Sequence, residues 1–122
     1  MIRAQSSLGA GGRSLAFDGT TKTVNNGDHN TEYFYFGETN AVVTLPGTID
    51  RLGCTVTFWQ FGAGKVQAVA SGGASIDALQ DTVDAFHRYT AGPNCAMTCK
   101  MVRNVDGNSA QWVLIGMLDY VP

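Results

Sequence analysis

Gly53-Cys54-Thr55-Val56-Thr57-Phe58-Trp59-Gln60-Phe61-Gly62-Ala63-Gly64-Lys65-Val66-Gln67-Ala68-Val69-Ala70 is the stretch whose reading decides the fold. Residues 54–61 are rich in β-branched and aromatic side chains, Gly62-Ala63-Gly64 can bend where other residues cannot, and residues 65–70 resume an extended pattern. This reads as a β-hairpin. Alternation puts Cys54, Val56, Phe58 and Gln60 on one face of the first strand and Thr55, Thr57, Trp59 and Phe61 on the other. Neither face is wholly polar. The strand is therefore expected to be covered on both sides, by a second sheet and by a neighbouring subunit or loop.

Upstream, residues 31–36 place four aromatics in a row, with Tyr33 and Tyr35 on one face and Phe34 and Phe36 on the other. The Tyr33 and Tyr35 phenols are expected to reach water or a partner's backbone. Residues 41–45 form a strand closed by Pro46-Gly47, and residues 20–24 fit one short strand among turn signals at Asp18-Gly19 and Asn26-Gly27. Downstream, residues 74–77 fit another short strand. Residues 78–88 have a helical flavour from Leu79, Val83 and Phe86, and read equally as an irregular loop. In residues 95–103, Cys95, Met97, Cys99 and Met101 share a face; residues 104–110 make a hairpin connection, and residues 111–118 are a final strand apolar enough to be covered twice. The whole is all-β: an antiparallel β-sandwich or jelly-roll-like barrel over residues 17–122, preceded by an extended arm of residues 1–16.

A chain of 122 residues supports one core. Its hydrophobic fraction is 44%, whereas charged residues make up only 15%, against roughly 25% in ordinary soluble domains. A surface polar through neutral residues suits contact with other proteins, because little charge is desolvated on docking. Net charge −2 with eight scattered basic residues argues against nucleic acid. No apolar run approaches the roughly 20 residues of a membrane span, and residues 1–7 lack a signal-peptide core, so the chain is expected to be made and left in the cytosol or to leave by lysis.

No catalytic or metal constellation stands out. Three cysteines cannot all pair within one chain. Cys95 and Cys99 on one strand would be about 13 Å apart, too far for a disulfide or one metal ion, and buried free thiols are expected. Asp28-His29 has no second ligand at a recognisable spacing, Asp77, Asp81 and Asp84 read as a solvated face, and His29 and His87 have no hydrolase motif around them. No cofactor is expected. The Gly- and Ser-rich residues 1–16 are instead an expected binding arm, with Leu8, Leu15 and Phe17 as anchors and Arg3 and Arg13 for charge pairing.

Ala41-Val-Val-Thr-Leu-Pro46, Gly53-Cys-Thr-Val-Thr-Phe58, Gln60-Phe-Gly-Ala-Gly-Lys-Val66 and Trp112-Val-Leu-Ile-Gly116, in this order, resemble a β-rich module of tailed-bacteriophage virion proteins. The resemblance spans residues 22–118. It implies a structural role in the virion, in capsid decoration or in tail fibres, spikes or baseplates. A short chain with an arm suits a decoration (cement) protein on the outside of the head, with the major capsid protein as partner, a homo-trimer as assembly, and neither nucleic acid nor membrane bound. Tyr33, Tyr35, Trp59, Phe61 and Trp112 are then the expected intersubunit contacts. The alternative is a tail module that takes a receptor or sugar, with Tyr33, Tyr35 and Trp59 stacking on the ring.

Overall fold

The computed structural model describes residues 12–78 and 88–119. Along them run β1 (Arg13–Ala16), β2 (Thr21–Thr23), a single 3-10 turn (Asn26–Asp28), β3 (Thr31–Tyr35), β4 (Ala41–Pro46), β5 (Thr55–Gln60) and β6 (Val66–Ser71). There follow β7 (Ser75–Ala78), β8 (Tyr89–Thr90), β9 (Cys95–Arg103), β10 (Gln111–Gly116) and β11 (Leu118–Asp119). They build two sheets, ordered β1-β3-β5-β9-β10-β7 and β11-β8-β6-β4-β2, packed as an all-β sandwich. Residues 79–87, where the helical pattern and two of the three clustered aspartates fall, lie outside the described residues.

The 53–70 stretch is two strands, but it is not a hairpin. β5 sits in the first sheet between β3 and β9, and β6 sits in the second between β4 and β8. In the first sheet β1, β3 and β5 are parallel, and in the second β2, β4 and β6 are parallel. The chain therefore winds as a flattened coil from β1 to β6, laying one strand on each sheet per turn. Parallel neighbours need a crossover, and here the opposite sheet provides it in place of a helix. Antiparallel pairing, expected throughout, is confined to β9 against β5 and β10, and to β8 against β6 and β11. β9 and β10 do form the hairpin expected around residues 104–110.

The glycines of the 53–70 stretch serve this winding. The corner after β5 lies directly on the corner after β3: Phe61 N donates to Tyr35 O at 2.8 Å, Gly64 N to Gly37 O at 3.0 Å, and Ala41 N to Lys65 O at 2.8 Å. A Cβ at Gly62 would come 2.4 Å from Gly37 O, and one at Gly64 would come 2.0 Å from Thr39 O. Only glycine lets the two corners stack at this spacing. At the other end of the coil Asn26 Oδ1 accepts from Asp50 N (3.2 Å) and Arg51 N (3.3 Å), so those corners stack as well.

Alternation now assigns inside and outside. Cys54, Val56, Phe58 and Gln60 of the β5 segment point into the sandwich, as do Met97, Cys99 and Met101 of β9 and Trp112 and Leu114 of β10. They meet Val43, Leu45, Val66 and Ala68 of the second sheet. Phe17, Tyr33 and Phe58 form an aromatic knot, with Tyr33 stacked on Phe58 at 5.6 Å and Phe17 edge-on to Phe58 at 6.0 Å. Burial of each such side chain contributes about 1.5–3 kcal/mol. The largest, Trp112, is fully buried and its Nε1 donates to Pro46 O at 3.3 Å.

Candidate functional site

The outer face of the first sheet carries the surface feature with the most chemical character. Register places Phe34 beside Trp59, with Ala96 of β9 next to Trp59. Phe36 and Phe61, each just past its strand, extend the row. Trp59 and Phe61 are stacked (5.8 Å between centroids, planes 9° apart), Phe61 and Phe36 are stacked (5.5 Å, 19°), and Phe34 is tilted against Phe61 at 5.6 Å. Phe36 is 65% exposed and Phe61 37% exposed, large values for phenylalanines that already cover one another. Ile115 of β10 and Met117 beyond it add further exposed apolar surface near this end of the sheet.

A polar seam fixes the patch from behind. Glu32 on β3 faces outward, yet it is buried by its neighbours: Trp59 Nε1 donates to its Oε1 at 3.0 Å and Ser14 Oγ to its Oε2 at 3.0 Å. Beside it the Thr57 and Thr98 hydroxyls are 2.9 Å apart across β5 and β9. Glu32 thereby sets the orientation of the Trp59 indole, and so of the ring stack it begins. The outer cover expected for β5 is thus supplied within the chain at Thr57, whereas Trp59 is only part-buried and Phe61 is exposed.

Several expected contact residues prove to be core. Tyr33 (7% exposed), Tyr35 (3%) and Trp112 (0%) are buried inside the sandwich, which corrects the assignment of all three to an intersubunit surface and of the two tyrosines to sugar stacking. The phenols are satisfied internally, Tyr33 Oη donating to Asp28 Oδ1 at 2.6 Å and Tyr35 Oη to Thr39 O. Trp59 and Phe61 do lie on the surface. Phe34 and Phe36 were missed because phenylalanine is the more apolar ring and the simpler assumption puts it inside. The signal was present in the alternation, but local sequence does not say which face is the core. Glu32 had no signal at all.

The arm residues divide similarly. Arg3 and Leu8 lie outside the described residues. Residues 13–16 are β1, paired in parallel with β3, so they belong to the sandwich and not to an arm. Arg13 is tied down, its Nη2 donating to Gly27 O at 3.0 Å and to Thr31 Oγ1 at 3.1 Å, and Phe17 is a core side chain. Leu15 remains exposed at 40%.

Of the titratable groups, Asp28 is buried between the sheets. Burial pushes its carboxyl up, but the Tyr33 hydroxyl, the Asn25 amide and the Lys22 ammonium outweigh that and hold it below its ordinary value. Lys22 Nζ is 3.2 Å from Asp28 Oδ2 and lies over the Tyr33 ring. Tyr33 is raised, by burial first and then by Asp28. His29 is lowered by burial and by Arg51; its Nδ1 accepts from Thr55 N at 3.1 Å. Burial lifts the Cys54 thiol to about 11 and also raises Cys99, and all three cysteines are free. Among the described residues no group of three His, Cys, Asp or Glu is placed to hold a metal ion.

No family model matches the chain, and no curated protein matches it. The site therefore has to be read from its own geometry.

Proposed function

We propose that this protein is a structural component of a tailed-bacteriophage virion, a decoration protein that sits on the outside of the head and bridges major capsid subunits. The observation that carries the reading is the exposed stack of Phe36, Phe61 and Trp59 beside Phe34. An oriented aromatic patch of this kind, in a sequence with 15% charged residues, is what the centre of a protein contact is made of. The landmarks from Ala41 to Gly116 add the resemblance to phage modules. A tail module that takes a sugar is the competing reading. A sugar needs polar groups beside the ring it stacks on, whereas these rings offer none for its hydroxyls: those of Phe34, Phe36 and Phe61 have no polar atom, and the Trp59 Nε1 donates to Glu32. An apolar surface of this kind favours apolar protein side chains.

The test is rebinding of purified protein to expanded heads stripped of it. Saturation at hundreds of copies per particle, with Phe61→Ser losing at least tenfold in occupancy while still folded, is the expected result. Adsorption to host cells or glycans with only a handful of copies per particle would overturn it in favour of the tail module. The arm is tested separately by deleting residues 1–11, because a deletion reaching residue 16 removes β1.

A further inference from the structure

We propose that two copies of this chain pair through β1, edge to edge and antiparallel, about a two-fold axis at Leu15. β1 is the free edge of the first sheet, and all four of its residues are exposed. Arg13 N donates to Asn30 O and Phe17 N to Phe34 O, so alternate residues of β1 turn their backbone groups toward β3. The N–H and C=O of Ser14 and Ala16 consequently point away from the sheet. Although β1 is only four residues long, none of the described residues covers this edge. It carries no proline, lysine or bulge, and its one charged side chain, Arg13, is drawn back onto Thr31 and Gly27.

A second copy fits this edge in one register better than in any other. When Ser14 of one copy lies opposite Ala16 of the other, both residues on both chains make narrow pairs, and all of the outward N–H and C=O groups are used. Centring the axis on Ser14 or on Ala16 uses only part of them within the strand. In the favoured register Leu15 meets Leu15 of the second copy in a non-hydrogen-bonded pair, where side chains approach most closely. Its 40% exposure is then covered by an apolar partner. Arg13 falls opposite Phe17 of the other copy, so no like charges meet. A C2 contact is self-complementary by construction, so the same exposed edge serves both copies. The pairing joins the two first sheets and sets both aromatic patches on one continuous outer face, so a target engages two at once. The inference stands on the edge geometry and does not depend on the virion reading.

Sedimentation of the full chain at about 100 μM should give twice the 13.0 kDa of one chain. Ala16→Pro, which removes an outward N–H at an edge where proline is sterically admitted, and Leu15→Asp should each shift the species to monomer with circular dichroism unchanged. Because either variant could unfold, Leu15→Cys gives an independent readout. Made in a Cys95→Ser background and treated with diamide, which accepts the two electrons and two protons released, it should form a disulfide-linked dimer on a non-reducing gel, where Cys95→Ser alone does not. A monomeric or trimeric parent protein, or a folded Leu15→Cys chain that fails to cross-link, would overturn the pairing.

Discussion

Tyr33 Oη donates a 2.6 Å hydrogen bond to Asp28 Oδ1 in the interior of the sandwich, tying the 3-10 turn to the first sheet. The same carboxylate takes the Asn25 amide at 2.9 Å and the Lys22 ammonium at 3.2 Å. Tyr33→Phe leaves the stacking on Phe58 in place and removes one donor from a buried charge. It should destabilise the protein by about 1.5–3 kcal/mol, read as a lower urea midpoint with an unchanged slope.

Acid should act in two steps, because His29 and, at lower pH, the carboxyls of Asp28 and Asp106 have folded pKa values below their unfolded ones. His29 is depressed from 6.5, so the unfolded chain binds the extra proton first, and its stabilising contribution is complete above 6.5 and lost as pH falls through the folded value. Asp28, depressed from 3.8, contributes fully above that value and is lost at lower pH. His29→Asn places Oδ1 where Nδ1 accepts from Thr55 N. The thermal midpoint of this variant should be flat between pH 7 and 5, where the parent protein declines; a parallel decline in both would count against the His29 assignment.

Gly64→Ala puts a methyl group 2.0 Å from the Thr39 carbonyl oxygen, a backbone atom with little room to retreat. Overpacking of this kind costs about 1–3 kcal/mol. Ala63→Ser, at an exposed position between the two stacked glycines, should change stability by less than about 0.5 kcal/mol. Equal effects of the two substitutions on the urea midpoint would show that the corners do not stack as described.

Thiol labelling should rank the cysteines. Cys54 and Cys99 are fully buried with raised pKa values, and Cys95 is only partly buried at the start of β9. Under native conditions at pH 8, one thiol per chain should react within minutes, mapped to Cys95 by mass spectrometry. The other two should react on the timescale of global unfolding.

Trp112→Ala and Phe61→Ala separate core from surface. The first opens a cavity under a fully buried indole and should cost about 3–5 kcal/mol. The second trims an exposed ring and should cost under about 1 kcal/mol. A comparable loss of thermal stability in both would mean that the aromatic patch is part of the core.

The sequence by itself determined the strands, because period-two alternation and β-branched, aromatic composition are local properties. It placed β3, β4, β5, β6, β9 and β10 and the shared face of Met97, Cys99 and Met101. It also marked Trp59 and Phe61 as candidates for an exposed contact. It could not decide pairing. A parallel coil and an antiparallel hairpin impose the same alternation on each strand, and Gly62-Ala63-Gly64 suits a tight turn as well as a stacked corner. Only the tertiary structure, by setting Gly64 against Thr39 and β5 beside β3, chose the coil. The inside of β3 was beyond local reading for the same reason: Tyr33 is core because Asp28, five residues earlier and folded back by the 3-10 turn, supplies the partner its hydroxyl needs, and that leaves Phe34 and Phe36 facing out.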